Sequence, residues 1–160
     1  MVLSRGDAVR WVAEQRARGR TIVFTNGVFD LLHPGHVRYL QAARGFGDVL
    51  IVAVNSDSSA RALDKGPDRP INDAHDRAEV LAALSAVDAV TLFDEPTPDE
   101  IVQAIQPDVL VKGADWAVGA IVGADTVERR GGRVERVTLA AGYSTTTLLE
   151  RVRRGRSAVP

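Results

Sequence analysis

The sequence predicts an α/β fold in which helices flank a parallel β-sheet. Short apolar runs alternate along the chain with stretches of helical periodicity, as in successive βαβ units. Most of these runs are apolar at consecutive positions, which is typical of strands buried on both faces. Polar and glycine-rich clusters follow the runs, and ligands bind at the carboxyl ends of the strands in such sheets. This edge of the sheet is therefore the predicted ligand site.

The predicted elements alternate in a regular order. The first is a helix from about Ser4 to Arg18, with Ser4 as a possible N-cap. The residues that recur at helical spacing within it are Ala8, Trp11, Val12 and Gln15. Strands are predicted at 21–24, 49–54, 89–93, 109–111 and 134–139. Two further helices are predicted at 37–43 and 145–154, the second with Leu148, Leu149 and Val152 on one face. Two more are marked by apolar residues at helical spacing, one by Val80, Leu81, Leu84 and Val87 and one by Ile101, Val102 and Ile105.

Length, charge and cysteine content limit the class of protein. The 160 residues suffice for one hydrophobic core and are few for two, so we expect a single domain over 1–160. The net charge of −1 provides no overall positive field, and we expect no nucleic-acid partner. The lack of cysteine excludes disulfides and thiolate catalysis. Because no apolar stretch approaches the ~20 residues of a membrane span, we expect a cytoplasmic protein without membrane contact.

Two of the three histidines lie at a strand-to-helix junction. The string from Thr25 to His36 follows the first apolar run, and His33 lies three residues before His36. A helix N-terminus offers unpaired N–H groups and the positive end of its dipole, which favour a phosphate. Gly35 lets a ligand approach the backbone closely. A capped polar turn or a metal-binding pair would give the same pattern, but His75 is the one further histidine, and we predict no metal site.

Two further clusters follow predicted strands. The stretch 55–58 is typical of a solvated turn, and the loop after it carries Lys65 beside a glycine. That lysine either faces water or binds a substrate. Lys112 and Gly113 follow the fourth strand, where a cation and a glycine suit a phosphate. Trp116 either packs on the core or forms the wall of a ligand pocket.

Another cluster, at 140–147, lies at the start of the last predicted helix. Gly142 permits close approach of a ligand, and the four consecutive hydroxyl residues 144–147 suit a polyphosphate at a helix N-terminus. Capping is the alternative explanation, because Thr147 with Glu150 matches a capping box. The sequence contains neither the P-loop motif nor the dinucleotide-binding glycine motif, which excludes those two classes.

The histidine string resembles the H-x-G-H signature of the nucleotidyltransferase superfamily typified by cytidylyltransferases, which implies a Rossmann-like sheet. More narrowly, the chain resembles the heptose 1-phosphate adenylyltransferases. The strings that carry this resemblance are Thr25–Asp30, Ile51–Asp57, Val109–Trp116 and Gly142–Thr146. It covers about Arg20 to Arg154 and leaves no residues for a sugar-kinase domain, so it implies the stand-alone form. The family has Tyr more often than Trp at position 116.

The resemblance implies transfer of AMP from ATP to D-glycero-D-manno-heptose 1-phosphate for the synthesis of lipopolysaccharide or surface-glycan precursors, with ADP-heptose and pyrophosphate as products. The implied catalytic residues are His33, His36, Lys65 and Lys112. The implied nucleotide-binding residues are Thr25, Asn26, Gly27, Phe29, His33, His36, Arg77, Lys112, Gly113, Asp115, Ser144, Thr145 and Thr146. The implied sugar-binding residues are Asp30, Asn55, Lys65 and Trp116. Mg²⁺ would be bound through the nucleotide phosphates, and a homodimer is expected.

Alternatives remain open at this level. Asp30 can also be a local turn acceptor, and Arg77 an ordinary helix-surface cation. The same fold with CTP as donor, and glycerol phosphate, ethanolamine phosphate or FMN as acceptor, fits the residues too, because nothing in them selects adenine over cytosine. A nucleotide-binding regulator without activity is disfavoured, since both histidines, both lysines and the hydroxyl cluster are retained.

Overall fold

The protein folds around one parallel six-stranded sheet. The structure, a computed structural model, describes residues 1–63, 69–117, 120–138 and 142–154. The strands are β1 Val2–Leu3, β2 Ile22–Gly27, β3 Val49–Asn55, β4 Ala89–Phe93, β5 Val109–Gly113 and β6 Arg133–Val137. The helices are α1 Arg5–Ala17, α2 Pro34–Arg44, α3 Asp57–Ala62, α4 Ala74–Ala82, α5 Asp99–Ile105, α6 Ala124–Glu128 and α7 Thr145–Arg153. The strand order is β1-β4-β3-β2-β5-β6, with every described pairing parallel, which confirms the predicted Rossmann-like α/β fold.

Continuous apolar runs produce the central strands. All seven residues of β3 are buried, and β2 pairs with it in register from Ile22 opposite Val49 to Gly27 opposite Val54. Because side chains alternate across a strand, each run supplies both faces of the sheet. One core cluster contains residues of α1, α5 and α6, and the other contains residues of α2 and α4. The sheet is thus covered by helices on both sides, and its carboxyl edge is left for a ligand.

Two strands differ from expectation. The last strand was expected to be buried on both faces at 134–139, but β6 is an edge strand with partly exposed side chains, and residue 139 lies outside the described residues. Its charged residues Arg133, Glu135 and Arg136 suit an edge, where one side is solvated. The two-residue β1, which was not predicted, pairs with β4 at the opposite edge. Two residues carry too little periodicity for prediction.

Two short helices, α3 and α6, lie where the sequence analysis predicts no helix. The stretch 55–58 was expected to form a solvated turn, yet Ser56 is the N-cap of α3, with its hydroxyl accepting from the Ser59 N–H at 3.3 Å. Serine and aspartate favour both turns and helix caps, so composition alone does not separate the two. The short α6 was also not predicted. It begins after Gly123, whose φ of 89° is in the left-handed region.

The other helices follow the predicted periodicity with local exceptions. Ser4 is the N-cap of α1, as predicted, and accepts from the Asp7 N–H. The helix predicted around 80–87 begins earlier, at Ala74, and ends before Leu84. The sequence predicts Val80 and Val152 on the apolar faces of their helices, but both side chains are exposed.

Arg77 is the largest fully buried side chain among the described residues. Its guanidinium donates to the Val28 carbonyl at 2.6 Å, to the Asn72 carbonyl at 3.0 Å and to the Asp57 carboxylate at 2.7 Å. These partners belong to the loop after β2, the segment before α4 and the first turn of α3. A helix-surface cation was one alternative from sequence, and the burial of Arg77 rules it out. The side chain instead joins three segments around the carboxyl edge of the sheet.

We expect Arg77→Met to lower the free energy of unfolding by about 3 kcal/mol, because two backbone carbonyls and a half-buried carboxylate lose a fully buried charged donor. Asp57→Asn is the matched control, since it keeps an oxygen acceptor for the guanidinium and should cost about 1 kcal/mol. Urea denaturation of both variants measures the difference. An R77M protein of unchanged stability and weakened ATP affinity would instead make Arg77 a direct nucleotide ligand.

Candidate active site

A cleft of about 870 Å³ lies at the carboxyl edge of the sheet, where β2, β3 and β5 end. The predicted site residues that line it are Asn26, Gly27, Phe29, Asp30, His33, His36, Asn55, Lys112, Gly113, Asp115, Trp116, Ser144, Thr145 and Thr146. Residues that lie far apart in the chain therefore meet in one cleft. Lys65 lies outside the described residues, so the structure gives it no position. Thr25 and Arg77 do not line the cleft.

The two histidines form a stacked pair at the start of α2. His33 is the N-cap, and its Nδ1 accepts from the His36 N–H at 3.3 Å. The rings stack with centroids 3.8 Å apart and planes 13° apart. Because Nδ1 accepts a hydrogen bond, we assign the proton of the neutral His33 ring to Nε2. Burial lowers the pKa of His33, so the neutral form is favoured in the absence of a ligand.

Gly35 makes this stacking possible. A Cβ atom at this position would lie 3.0 Å from the His33 ring and 3.0 Å from the Cβ of Tyr143. A larger residue would therefore require the N-cap histidine or the segment before α7 to shift by a few tenths of an ångström.

Phe29 supports the pair from the other side. Its ring meets the His36 ring edge to face, with centroids 5.3 Å apart. Its φ of 49° is unusual for a residue with a side chain, and such conformations persist where the surroundings require them. A Cβ on Gly27 would lie 3.0 Å from the Phe29 ring, so Gly27 provides room for it.

Lys112 is the buried cation of the cleft. It ends β5, is 7 % exposed, and donates a hydrogen bond to the Asn26 side-chain oxygen. Its ammonium lies 5.8 Å from the centre of the Trp116 ring. Burial lowers its pKa to about 8. Within the described part of the chain no carboxylate pairs with Lys112, so an anionic ligand would relieve the cost of burying its charge.

Thr25 lies beneath the site, not in it. Its hydroxyl is 2.8 Å from the hydroxyl of Tyr39 on α2, and Tyr39 donates to the Val111 carbonyl at 3.1 Å. Burial raises the pKa of Tyr39 to about 12, so it stays a neutral donor. These bonds connect α2, and with it the histidine pair, to strands β2 and β5.

The start of α7 completes the cleft. Ser144 is its N-cap and accepts from the Thr147 N–H at 3.0 Å, so one residue of the hydroxyl cluster does cap the helix, but at Ser144 and not through Thr147 with Glu150. Tyr143 stacks on His33 with centroids 6.2 Å apart, and Arg38 lies 5.4 Å from the centre of the Tyr143 ring. The stack brings the hydroxyl cluster to the histidine pair.

Asp30 is committed to neighbouring protein groups. Its carboxylate forms an ion pair with Arg69 at 2.9 Å and accepts from the N–H groups of Ile71 and Asn72 at 2.8 and 3.1 Å. The local-turn alternative for Asp30 is therefore wrong, because the donors come from a segment about forty residues away. Asp30 and Arg69 both line the cleft.

Sequence reasoning missed part of the lining. The residues concerned are Leu63, Arg69, Pro70, Pro96, Thr97, Pro98 and Val122. The stretch 96–98 follows β4 at the same edge of the sheet, so the strand-end rule, applied to every predicted strand, would have found it. Arg69 and Pro70 stand in the same loop as Lys65, which follows a predicted strand, but the order of the strands does not indicate which residue of a loop lines the cleft.

Across the described ranges, no group of three or more His, Cys, Asp or Glu side chains has the arrangement to hold a metal ion. Among the helices of the same ranges, none has the length and apolar character needed to cross a bilayer.

Comparisons with known proteins agree with this geometry. Residues 24–148 match the sequence model of the cytidylyltransferase-like family. The bifunctional protein HldE of Syntrophotalea carbinolica is 53% identical over 147 residues, which are 91% of this chain and 30% of that protein. The same protein of Mesorhizobium japonicum is 52% identical over 154 residues, or 96% and 31%. The chain thus spans about a third of the length of these curated relatives.

A solved structure shows the same fold. The lipopolysaccharide core biosynthesis protein of Thermoplasma volcanium aligns with a TM-score of 0.64 and 32% identity, over 76% of this chain and 98% of that one. The family match covers the histidine pair, Lys112 and the hydroxyl cluster, which are the groups that line the cleft. This chain belongs to the cytidylyltransferase-like family of nucleotidyltransferases.

Proposed function

We propose that the protein is an adenylyltransferase that transfers AMP from ATP to D-glycero-D-manno-heptose 1-phosphate, with ADP-heptose and pyrophosphate as products. The observation that carries this proposal is that three sets of groups suited to binding phosphate line one cleft. These are the histidine pair, Lys112 and the start of α7. The choice of ATP and heptose phosphate is supported by the motif resemblance and by the identity to HldE proteins.

The reaction requires positioning and charge stabilisation from the protein, and no protein nucleophile. An oxygen of the acceptor phosphate attacks the α-phosphorus of ATP in line. A new P–O bond forms, the bond from the α-phosphorus to the bridging oxygen breaks, and its electron pair leaves with pyrophosphate. Charge grows on the phosphate oxygens in this step, and fixed donors stabilise it.

The histidine pair and the start of α2 supply such donors. His33 offers the Nε2–H assigned above, because Nδ1 is occupied by the His36 N–H. Burial lowers the pKa of His33, and the His36 N–H directed at Nδ1 also favours the neutral ring, so His33 would act on a phosphate as a neutral donor through Nε2. His36 is held between the rings of Phe29 and His33, so its orientation is set before the nucleotide arrives.

The start of α7 and Lys112 would bind the triphosphate. Thr145 and Thr146 line the cleft at a helix N-terminus whose cap is already provided by Ser144. Their hydroxyls are therefore not needed to cap the helix and suit phosphate oxygens. Mg²⁺ would neutralise the phosphates and be held mainly by their oxygens. Among the described residues, only two carboxylates, those of Asp30 and Asp115, line the cleft, and no group of side chains is arranged to hold a metal ion. The homodimer, the cytoplasmic location and the stand-alone form stay predictions.

Pyrophosphate release with a panel of substrates tests the proposed reaction. We expect ATP with heptose 1-phosphate to exceed CTP with glycerol phosphate by at least about tenfold in kcat/KM. The reverse preference would make the protein a cytidylyltransferase for a small acceptor. No pyrophosphate with any pair would favour a nucleotide-binding regulator.

His36→Ala should lower kcat by about 10²–10³-fold, a loss of about 3–4 kcal/mol of transition-state stabilisation. His75→Ala is the matched control, because His75 is an exposed histidine near the start of α4 and lies outside the cleft. Steady-state kinetics on both folded variants measure the effect. Near-normal turnover of H36A would exclude a role for this imidazole in the chemistry.

ATP affinity should fall as the pH rises above about 8, where Lys112 loses its proton in the free protein. Bound phosphate raises the pKa of Lys112, so the affinity falls by up to about tenfold per pH unit until the pKa of the complex is reached. Lys112→Arg keeps its charge throughout and should bind ATP with little pH dependence, whereas Lys112→Met should bind weakly at every pH. Titrations from about pH 7.5 to 10 compare the three proteins. A parallel decline in wild type and K112R would contradict the assignment.

A further inference from the structure

The carboxylate of Asp30 has little capacity left for a substrate. Oδ1 accepts from two backbone N–H groups, those of Ile71 and Asn72, and Oδ2 accepts from Arg69. The Asp30 carbonyl also accepts from the Asn72 side chain at 3.1 Å. The side chain of Asp30 is 5 % exposed. These four hydrogen bonds fix the segment 69–72 to the loop that carries the histidine pair.

Arg69 is held in the cleft by this arrangement. Its side chain is 14 % exposed, and within the described ranges its guanidinium makes one hydrogen bond, from Nη1 to Asp30. No described residue accepts from the Nε or Nη2 hydrogens, which leaves them for a ligand. They form an edge of the guanidinium fork that matches two oxygens of one phosphate group. Asp30 fixes the direction of the fork without using that edge.

The sheet order separates Arg69 from Lys112. The segment 69–72 precedes α4, which packs against β3 and β4, whereas Lys112 ends β5 on the other side of β2. The histidine pair follows β2 and therefore lies between the two cations. In-line transfer places the attacking and leaving oxygens on opposite sides of the α-phosphorus. Two cations on opposite sides of the histidines fit that requirement.

The geometry points to Arg69 as the binding residue for the phosphate of the acceptor, with Asp30 as its positioning residue. This inference rests on the proposed function, because it names the group that holds the second substrate of the same cleft. A phosphomonoester is the chemical class that the free edge of the fork fits, since it presents two or three oxygens and about two negative charges. Asp30, which sequence reasoning assigned to direct sugar binding, acts here through Arg69.

Steady-state kinetics with heptose 1-phosphate and ATP test the assignment. Arg69→Gln should raise the KM for heptose 1-phosphate by about 100-fold and leave the KM for ATP within about threefold, because two charge-assisted hydrogen bonds to one substrate are lost. Arg69→Lys keeps the charge without the fork and should lose about tenfold. Arg61→Gln on the exposed side of α3 is the matched control and should match wild type. Equal changes in the two KM values would overturn the assignment.

Asp30→Asn tests the positioning role. The variant should raise the KM for heptose 1-phosphate, and combining it with Arg69→Gln should add little, since both changes disable one contact. Additive losses in the double variant would show that Asp30 contacts the substrate independently of Arg69. The kcat at saturating acceptor serves as the check that the histidine loop is intact.

A binding experiment separates this inference from the proposed function. Inorganic phosphate is titrated into wild type and R69Q, with the nucleotide site filled by α,β-methylene-ATP. We expect saturable phosphate binding in wild type and its loss in R69Q. That result, in a protein that releases no pyrophosphate with any acceptor, would keep the phosphate site and reject the transferase proposal. Equal phosphate binding by the two proteins, or none by wild type, would reject the site at Arg69.

Discussion

The buried guanidinium of Arg77 is the contact on which the arrangement of the cleft depends. Backbone carbonyls and a carboxylate from three separate segments converge on one cation that cannot lose its charge. Separating these segments would break hydrogen bonds to a fully buried cation, which costs free energy. One of the segments follows β2 and leads into the histidine string, and another carries Asn72, which bonds to Asp30. Hydrogen bonds and an ion pair thereby join the loops of the site to one another.

The described side chains that line the cleft include several cations and hydrogen-bond donors but few carboxylates. Lys112 is buried with an amide oxygen as its partner, and Arg69 shares a carboxylate that already serves two backbone groups. Burial disfavours the charged forms of Lys112 and His33, so the cleft is poised to gain from an anion. A polyphosphate supplies that charge. The cost of burying these cations in the empty cleft would therefore be relieved by a bound polyphosphate, without a large overall positive charge on the chain.

Most of the fold could be predicted from the sequence, and part of the site could not. Continuous apolar runs identify the central strands because burial on both faces demands them, and the strand-end rule then places Lys112 and His36 at one edge. The turn-forming residues of α3 could not be distinguished from a loop, since the same side chains cap helices. The contacts of Arg77 and Arg69 depend on partners from other segments, which no local pattern specifies. Asp30 was noticed, but its saturation by the segment 69–72 is visible only in three dimensions.

The attachment of α7 has a consequence for local stability. None of its described residues belongs to either core cluster, Leu148 and Leu149 are only half-buried, and Tyr143, just before the N-cap, stacks on His33 near Arg38. The sheet and its two helix layers are complete without it. Opening of α7 therefore requires less free energy than global unfolding, and its amide hydrogens should exchange with solvent long before those of β3.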